Sequence, residues 1–312
     1  SLTITGAANL SSTNTVTSHA DATPTAAAFG ASVAVSVVSA TTTASVDGAG
    51  YIDAASLALD ASTTTDIVAN AAAAAGGATA PQAGSQADTY LSDPEYQSAA
   101  STSEGQVSVV GALAISDLTS TTTATINSSR ASDISGASTL STETSNSASV
   151  TADGSAVDSS VGVGVAVGIN IASVQNNATL GGQGISTGSL EVTAAMTAGG
   201  SNSFTTKATS GAGGTNVGVA GSLAVNLVDT QSQATINAAS PVTLAGGDVI
   251  ISAEEETEST AEAIPDTTGA TGKVGVGASS DIRYGPASPP VVVTDGTTLT
   301  TPGEITLSAA SI

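Results

Sequence analysis

The chain has 312 residues, a formal net charge of −22, four Lys and Arg residues in all, and no cysteine. Nucleic acids and anionic membrane surfaces are bound by clustered Lys and Arg, and disulfides and thiolate metal sites need cysteine, so the composition excludes all four. Aromatic residues make up 2% and Ala, Gly, Ser, Thr and Val dominate, which favours a narrow core between close sheets over a wide globular core.

The first predicted element is a strand that recurs along the chain. From Leu57 to Ala69, one set of alternate residues is Leu, Ala, Thr and Ile, while the other set is more polar. A period of two predicts a β-strand, and we expect the face of Leu57 to be a slim core face. Glu143 and Glu191 then lie on the outer face. Copies of this strand begin at Leu2, Leu57, Leu140, Leu190, Val249 and Ile305.

A second kind of strand follows in each copy, most clearly at 161–171. Val and Ile alternate there with small residues. We expect Val and Ile to face the core and the small residues to form an outer packing face close to another backbone surface. The alternative is a strand with both faces buried inside one domain. The packing face comprises Gly162, Gly164, Ala166, Gly168, Asn170, Gly218, Ala220 and Asn226.

These strands recur in a constant register. An apolar residue follows ten residues after each of Ser36, Ser116, Asn170 and Asn226. A period of about 55 residues predicts a repeat architecture. We therefore expect an all-β fold, a parallel β-helix (β-solenoid), and favour two coils per repeat over one wide coil. Stacking would align positions 36, 116, 170, 226 and 283 in a ladder.

The predicted solenoid is a single domain of about five repeats. The repeat boundaries are 2–56, 57–139, 140–189, 190–248 and 249–304, with a sixth repeat starting at 305. Because the chain starts and stops within repeats, we expect it to be a segment of a longer protein.

Two regions depart from the repeat. A loop is inserted at 72–105, and its Tyr90 and Tyr96 are candidate partner contacts, since insertions in solenoids project from one face. The alternative is a tolerated loop without a role. In the fifth repeat, Asp281 and Arg283 replace small residues on the predicted outer face, and prolines follow. In the other repeats a short strand that begins with Ala comes next, and here the Val triplet at 291–293 takes its place.

No catalytic constellation is evident, and we predict that the chain is not an enzyme. His19, the only histidine, lies beside Asp21, but a nucleophilic triad needs three converging groups. One dense acidic run offers a candidate for Ca²⁺, which prefers several oxygen ligands. A solvated acidic face is the alternative, and no other cofactor is expected. The metal candidates are Glu254, Glu256, Glu258, Asp47 and Asp295.

Three consecutive motifs carry a resemblance. They are Val-Gly-Val-Gly-Val-Ala-Val-Gly-Ile-Asn-Ile at 161–171, Ala-Thr-Leu at 178–180 with a Gly turn, and Leu-Glu-Val-Thr-Ala at 190–194. The pattern resembles the repeats of very large bacterial exoproteins, the filamentous-haemagglutinin-like and leukotoxin-like surface proteins, over nearly the whole chain except 72–105. The resemblance implies a parallel β-helix stalk exported to the bacterial cell surface or beyond, and it carries no catalytic residues.

The leading functional hypothesis is a structural and adhesive segment of an extracellular bacterial surface fibre. Self-association, end to end or side by side, is expected through the small-residue face. One alternative is a carbohydrate-binding or carbohydrate-cleaving β-helix that contacts host or matrix glycans through Tyr90 and Tyr96. The other alternative is a stalk stiffened by Ca²⁺.

Overall fold

The computed structural model describes residues 2–23, 29–75, 107–266, 272–284, 290–294 and 296–311. Within these ranges the chain consists of β-strands, turns and bends, which confirms the all-β prediction. None of the described segments is a helix long and apolar enough to cross a membrane. The Ala run at 71–75, which borders two glycines, is the end of a strand rather than a helical turn.

Long and short strands alternate along the chain. In order they are β1 (Leu2–Thr3), β2 (Ala7–Ala22), β3 (Phe29–Gly48), β4 (Ile52–Ala54), β5 (Ser56–Ala75), β6 (Val107–Ser128), β7 (Ser132–Ile134), β8 (Ala137–Gly182), β9 (Ile185–Thr187), β10 (Ser189–Met196), β11 (Asn202–Ala238), β12 (Val242–Leu244), β13 (Val249–Glu255), β14 (Thr257–Asp266), β15 (Gly272–Tyr284), β16 (Val291–Val293), β17 (Leu299–Thr300) and β18 (Ile305–Ser311).

All pairs among these strands are parallel, and the strands form three sides. The short strands β1, β4, β7, β9, β12 and β17 form one sheet in that order. A first wall contains β2, β5, the first half of β8, β10 with the first part of β11, β13 with β14, and β18. A second wall contains β3, β6, the later parts of β8 and β11, and β15 with β16. We call one passage through first wall, second wall and short strand a coil.

The pairing corrects two expectations about the repeat. First-wall strands pair with first-wall strands, so that Leu190 lies between Ser138 and Val249, and second-wall strands likewise pair with each other. The expectation of two coils per repeat, in which the two long strands of a repeat would pair, is therefore wrong. The ladder of 36, 116, 170 and 226 is confirmed, but it continues to Asp281, because Arg283 pairs with Val228.

The two walls face each other across a core that tapers. Near the short strands the core contains large side chains such as Leu59, Leu140 and Ile185. A second group of large side chains around Phe204 follows farther along the walls, and only the far end consists almost wholly of alanine, with Ala71 of the first wall and Ala114 of the second in one cluster. The space narrows because both walls contribute small residues there, and this is the slim core that the composition predicts.

The expected orientation holds for the first wall and is wrong for the second. Leu57, Leu59 and Ile67 are buried, and Glu143 and Glu191 are exposed, as predicted. In the second wall, however, the Gly, Ala, Ser and Asn residues at 162–170 and at the paired positions face inward, while the Val and Ile residues that alternate with them face outward. The reason is steric: small residues already occupy the facing part of the first wall, and the two backbones approach too closely for Val or Ile between them.

Hydroxyl ladders join the two walls inside the core. Thr122 donates a hydrogen bond to Thr63 at 2.7 Å, and Thr63 donates one to Thr42 at 2.7 Å. Thr63 belongs to the first wall, whereas Thr42 and Thr122 belong to adjacent strands of the second. Because all three side chains are buried, each hydroxyl needs a partner within the protein.

We expect a Thr63→Val variant to lose about 1–3 kcal/mol of unfolding free energy, because the buried Thr122 hydroxyl is left without its acceptor. Chemical denaturation measures the loss. The matched control is Thr64→Val, one residue along on the exposed outer face, for which a change within about 0.5 kcal/mol is expected. Equal effects of the two substitutions would show that the ladder adds nothing to stability.

The structure also revises the two irregular regions. The predicted insertion begins at 72, but Ala72 to Ala75 still belong to β5 and pair with Asp153 to Ala156. Residues 76–106, including Tyr90 and Tyr96, lie outside the described residues. In the last coil, Val291 pairs with Ala234 and Val293 pairs with Ile236, which confirms the predicted place of the Val triplet.

Candidate interaction surface

The outer face of the second wall carries an ordered array of aliphatic side chains. Five strands contribute the outward-facing alternate residues of 31–37, 109–117, 163–171, 219–227 and 274–282, which we call the aliphatic grid. Parallel pairing aligns them in columns. One column contains Val33, Leu113, Val167, Leu223 and Ala278, and the next contains Val35, Ile115, Ile169, Val225 and Ser280.

The grid is apolar and open to solvent. Val33 is 59% exposed, Val37 is 69% exposed and Val276 is 65% exposed, while central members such as Ile169 are half-buried by their neighbours in the ladder. Asp117 is its charged member and lies in the column nearest to a polar region. An exposed, contiguous apolar surface of this kind marks an interaction site more often than scattered apolar residues do.

The same wall becomes polar farther along its strands. In the third and fourth coils the outward residues after the grid are Ser173, Gln175, Asn177 and Thr179, paired with Asp229, Gln231, Gln233 and Thr235. The outer face of the second wall is thus divided into an aliphatic part and a hydroxyl- and amide-rich part. This division distinguishes the grid from an ordinary solvent-exposed strand face, on which polar residues occur throughout.

The predicted packing face lies inside the molecule. Gly162, Gly164, Ala166, Gly168 and Asn170 are all buried, as are Gly218, Ala220 and Asn226. The close backbone approach that the small residues predict does occur, but within the chain: a Cβ on Gly164 would lie 2.5 Å from the carbonyl oxygen of Gly154 and still closer to that of Gly211. These residues therefore form an internal seam, and they offer no surface to a second molecule.

Within this seam, Asn226 joins the later part of β11 to the first part of β11 and to β14. Its amide nitrogen lies 3.1 Å from the Phe204 carbonyl oxygen and 2.8 Å from that of Thr260. Its side-chain oxygen accepts a hydrogen bond from the Thr206 hydroxyl. Asn170, its neighbour in the ladder, makes one such contact, to the Ala148 carbonyl oxygen at 3.2 Å. The role of the asparagines is therefore to hold the walls together.

The acidic candidates do not converge. Glu254 and Glu258 are exposed and Glu256 is half-buried, all on the outer side of the first wall as their alternation predicts. Asp47 is exposed at the distant end of β3, and Asp295 lies outside the described residues. Among the described residues, no three His, Asp or Glu side chains are grouped closely enough to hold a metal ion. The Ca²⁺ site stays a prediction.

Glu255 was not singled out from the sequence, yet it is the buried member of the acidic run. Its carboxylate accepts hydrogen bonds from the Thr230 hydroxyl, from the Ser232 backbone N–H at 3.2 Å and from the Thr257 hydroxyl at 3.3 Å. These donors satisfy a carboxylate that would otherwise be costly to bury. Glu255 therefore links the two walls of neighbouring coils.

The histidine lies on the outer face of β2. His19 Nε2 is 3.1 Å from Asp21 Oδ2, and both side chains are more than half exposed. Ser18 points the other way and its hydroxyl lies 2.7 Å from that of Ser36. Alternation along the strand thus separates Ser18 from His19 and Asp21, so these three groups do not converge.

The aliphatic grid was missed because its Val and Ile residues were expected inside. One signal in the sequence could have found it: the facing first-wall strand also carries small residues, at Ala69, Ala71 and Ala73. Two small-residue faces fit each other, which leaves the large residues outside.

No protein-family model, curated protein or solved structure matched the chain. The resemblance to adhesin repeats therefore stays a prediction.

Proposed function

We propose that this chain is a structural segment of an extracellular bacterial surface fibre, built as a β-solenoid with one wide coil per repeat of about 55 residues. The observation that carries the proposal is the register-locked parallel stacking of coils, in which each wall strand pairs with the corresponding strand of the next coil. A fibre of this kind holds the groups on its surface at a distance from the cell, where they can contact other surfaces. The proposal therefore includes an adhesive role.

The last strand of the stack presents an exposed apolar edge. Ile305 and Leu307 pair with Val249 and Ile251, which are fully buried. The two residues of the last strand are nevertheless 43% and 54% exposed, because no further strand covers them within the described chain. An apolar edge with unpaired backbone groups can accept a strand of another copy, which supports association along the axis.

The dimensions favour a structural role with many coils. Neighbouring strands lie about 4.8 Å apart, so five coils extend the axis by only about 24 Å. Each strand of about 20 residues spans roughly 65 Å across that axis. A wide and shallow coil gives a thick, stiff shaft, and length is reached only by stacking many coils, whether from a longer chain or from associating copies.

Duplication of one coil tests the proposal. A second copy of residues 190–248 inserted after residue 248 should fold, raise the denaturation midpoint and increase the denaturant slope, because the added coil buries surface against both neighbours. The control insert lacks Ala224, so that its later residues change faces. The solenoid proposal fails if the intact insert is unfolded or destabilises the chain as much as the control insert does. Electron microscopy of concentrated protein then checks for filaments.

A further inference from the structure

We propose that the aliphatic grid is the contact surface for a second copy of this chain, which packs face to face on it. The inference rests on the proposed fibre, because it supplies the lateral contact by which two shafts associate. The sequence predicted self-association through the small-residue face, which lies inside the molecule. The contact proposed here uses the aliphatic grid instead. The contact is isologous: the same grid is presented by both copies.

The size of the grid suits a dimer. Five strands about 4.8 Å apart and nine residues of about 3.3 Å each give a surface of about 24 by 30 Å, or roughly 700 Å². Two such surfaces bury about 1,400 Å² in total, within the range of stable interfaces, which is about 1,200–2,000 Å². The grid therefore covers the area that a dimer needs, without help from the polar part of the wall.

The shape and charge of the grid favour another flat sheet as its occupant. Two sheets pack face to face about 10 Å apart when alternate aliphatic residues point between them. Val167, Ile169 and Val225 are alternate aliphatic residues that point outward from the second wall. Asp117 lies in the column beside the polar region, so a facing copy leaves it at the rim of the contact. The net charge of −22 is carried almost wholly outside the grid.

Other occupants fit less well. Sugar rings are usually held by aromatic platforms, and the grid contains only aliphatic and small side chains apart from Asp117. A lipid surface is usually bound with Trp, Tyr, Lys or Arg at the interface, but Lys273 and Arg283, which border the last strand of the grid, pair with inward-facing residues of the neighbouring strand. A second copy of the chain needs neither kind of anchor.

Paired charges on the grid provide the test. Ile169 and Val225 are adjacent across two strands, and so are Asn177 and Gln233, eight residues further along the same strands and also outward. The chain carrying Ile169→Glu and Val225→Glu should lose at least about 100-fold in dimer affinity, because carboxylates would be buried without partners. The chain carrying Asn177→Glu and Gln233→Glu places the same two charges side by side outside the contact and should dimerise like the parent.

Sedimentation velocity over a range of concentrations measures the mass, and circular dichroism confirms that both variants are folded. The expected result is that association through the grid stops at two copies, since an isologous contact closes. The proposal is overturned if the parent is monomeric at about 100 μM, if both variants dimerise equally, or if the folded parent stays monomeric but floats with phosphatidylcholine vesicles.

If the coil duplication succeeds while dimerisation fails, only the lateral contact is wrong. If dimerisation persists while the duplication fails, the fibre is wrong.

Discussion

A Gly164→Ala variant is expected to unfold with about 3 kcal/mol less free energy than the parent chain, because the walls leave no room for a methyl group at this position. A Cβ there would meet the carbonyl oxygens of Gly154 and Gly211 well inside van der Waals distance. Both obstacles are backbone atoms of the facing wall, so relief requires the walls to separate. Separation would expose the alanine cluster beside the seam.

Chemical denaturation compares this variant with Gly221→Ala. Gly221 belongs to the neighbouring strand of the same wall, but it faces outward and a Cβ there meets nothing within 4 Å. We expect Gly221→Ala to be neutral or to stabilise the chain by up to about 1 kcal/mol, since alanine reduces the freedom of the unfolded chain. If Gly164→Ala were as well tolerated as Gly221→Ala, the inward orientation of the small-residue face would be wrong.

The second large effect is expected at Asn226. An Asn226→Ala variant removes the acceptor of the Thr206 hydroxyl and the donors to the Phe204 and Thr260 carbonyl oxygens. Each buried polar group left unpaired costs about 1–3 kcal/mol, so we expect a loss of about 3 kcal/mol or more. Equilibrium unfolding in denaturant gives the value, and native-state hydrogen exchange should show the last two coils opening first.

Asn170→Ala is the matched comparison. Asn170 occupies the neighbouring position in the same ladder and is equally buried, but only its bond to the Ala148 carbonyl oxygen is lost. Its side-chain oxygen has no hydrogen-bond partner, so its removal relieves an unsatisfied group. We expect a loss of about 1 kcal/mol. Equal losses at Asn170 and Asn226 would mean that cavity formation, rather than hydrogen bonding, sets the cost.

Both effects follow from one property of the core, which is its thinness. A core of Ala and Gly buries little apolar area per residue, so hydrophobic burial alone provides less stability than a Leu-rich core of equal length. Buried hydrogen bonds such as those of Asn226 and Thr63 supplement it. Their geometry requires an unchanged distance between the walls, which makes the chain sensitive to small changes at the seam.

The sequence determined the strands, the stacking register of the second wall and the inward face of the first wall. Two predicted copies of the first-wall strand were misplaced, because Leu2 belongs to a short strand that pairs with β4, and Leu140 pairs with Leu59 rather than with Leu57. Period-two alternation fixed the strand character, and the constant ten-residue interval after Ser36, Ser116 and Asn170 fixed which residues pair between coils. Both features are local or repeated, so neither requires knowledge of what lies opposite. The ladder failed only at its last step, where Asp281 rather than Arg283 pairs with Asn226.

Only the tertiary structure decided which face of the second wall is inside. Alternation separates two faces but gives them no direction, and large aliphatic residues are ordinarily the buried set. In this chain the opposite wall decides: Ala and Gly at the narrow end of the core bring the backbones together, which admits Gly164 and Ala166 and leaves Val165 and Val167 outside. The sequence analysis therefore placed the packing face on the wrong side of the second wall. The distance between the walls depends on residues of both walls, which are far apart in the sequence, and this distance leaves the aliphatic grid outside.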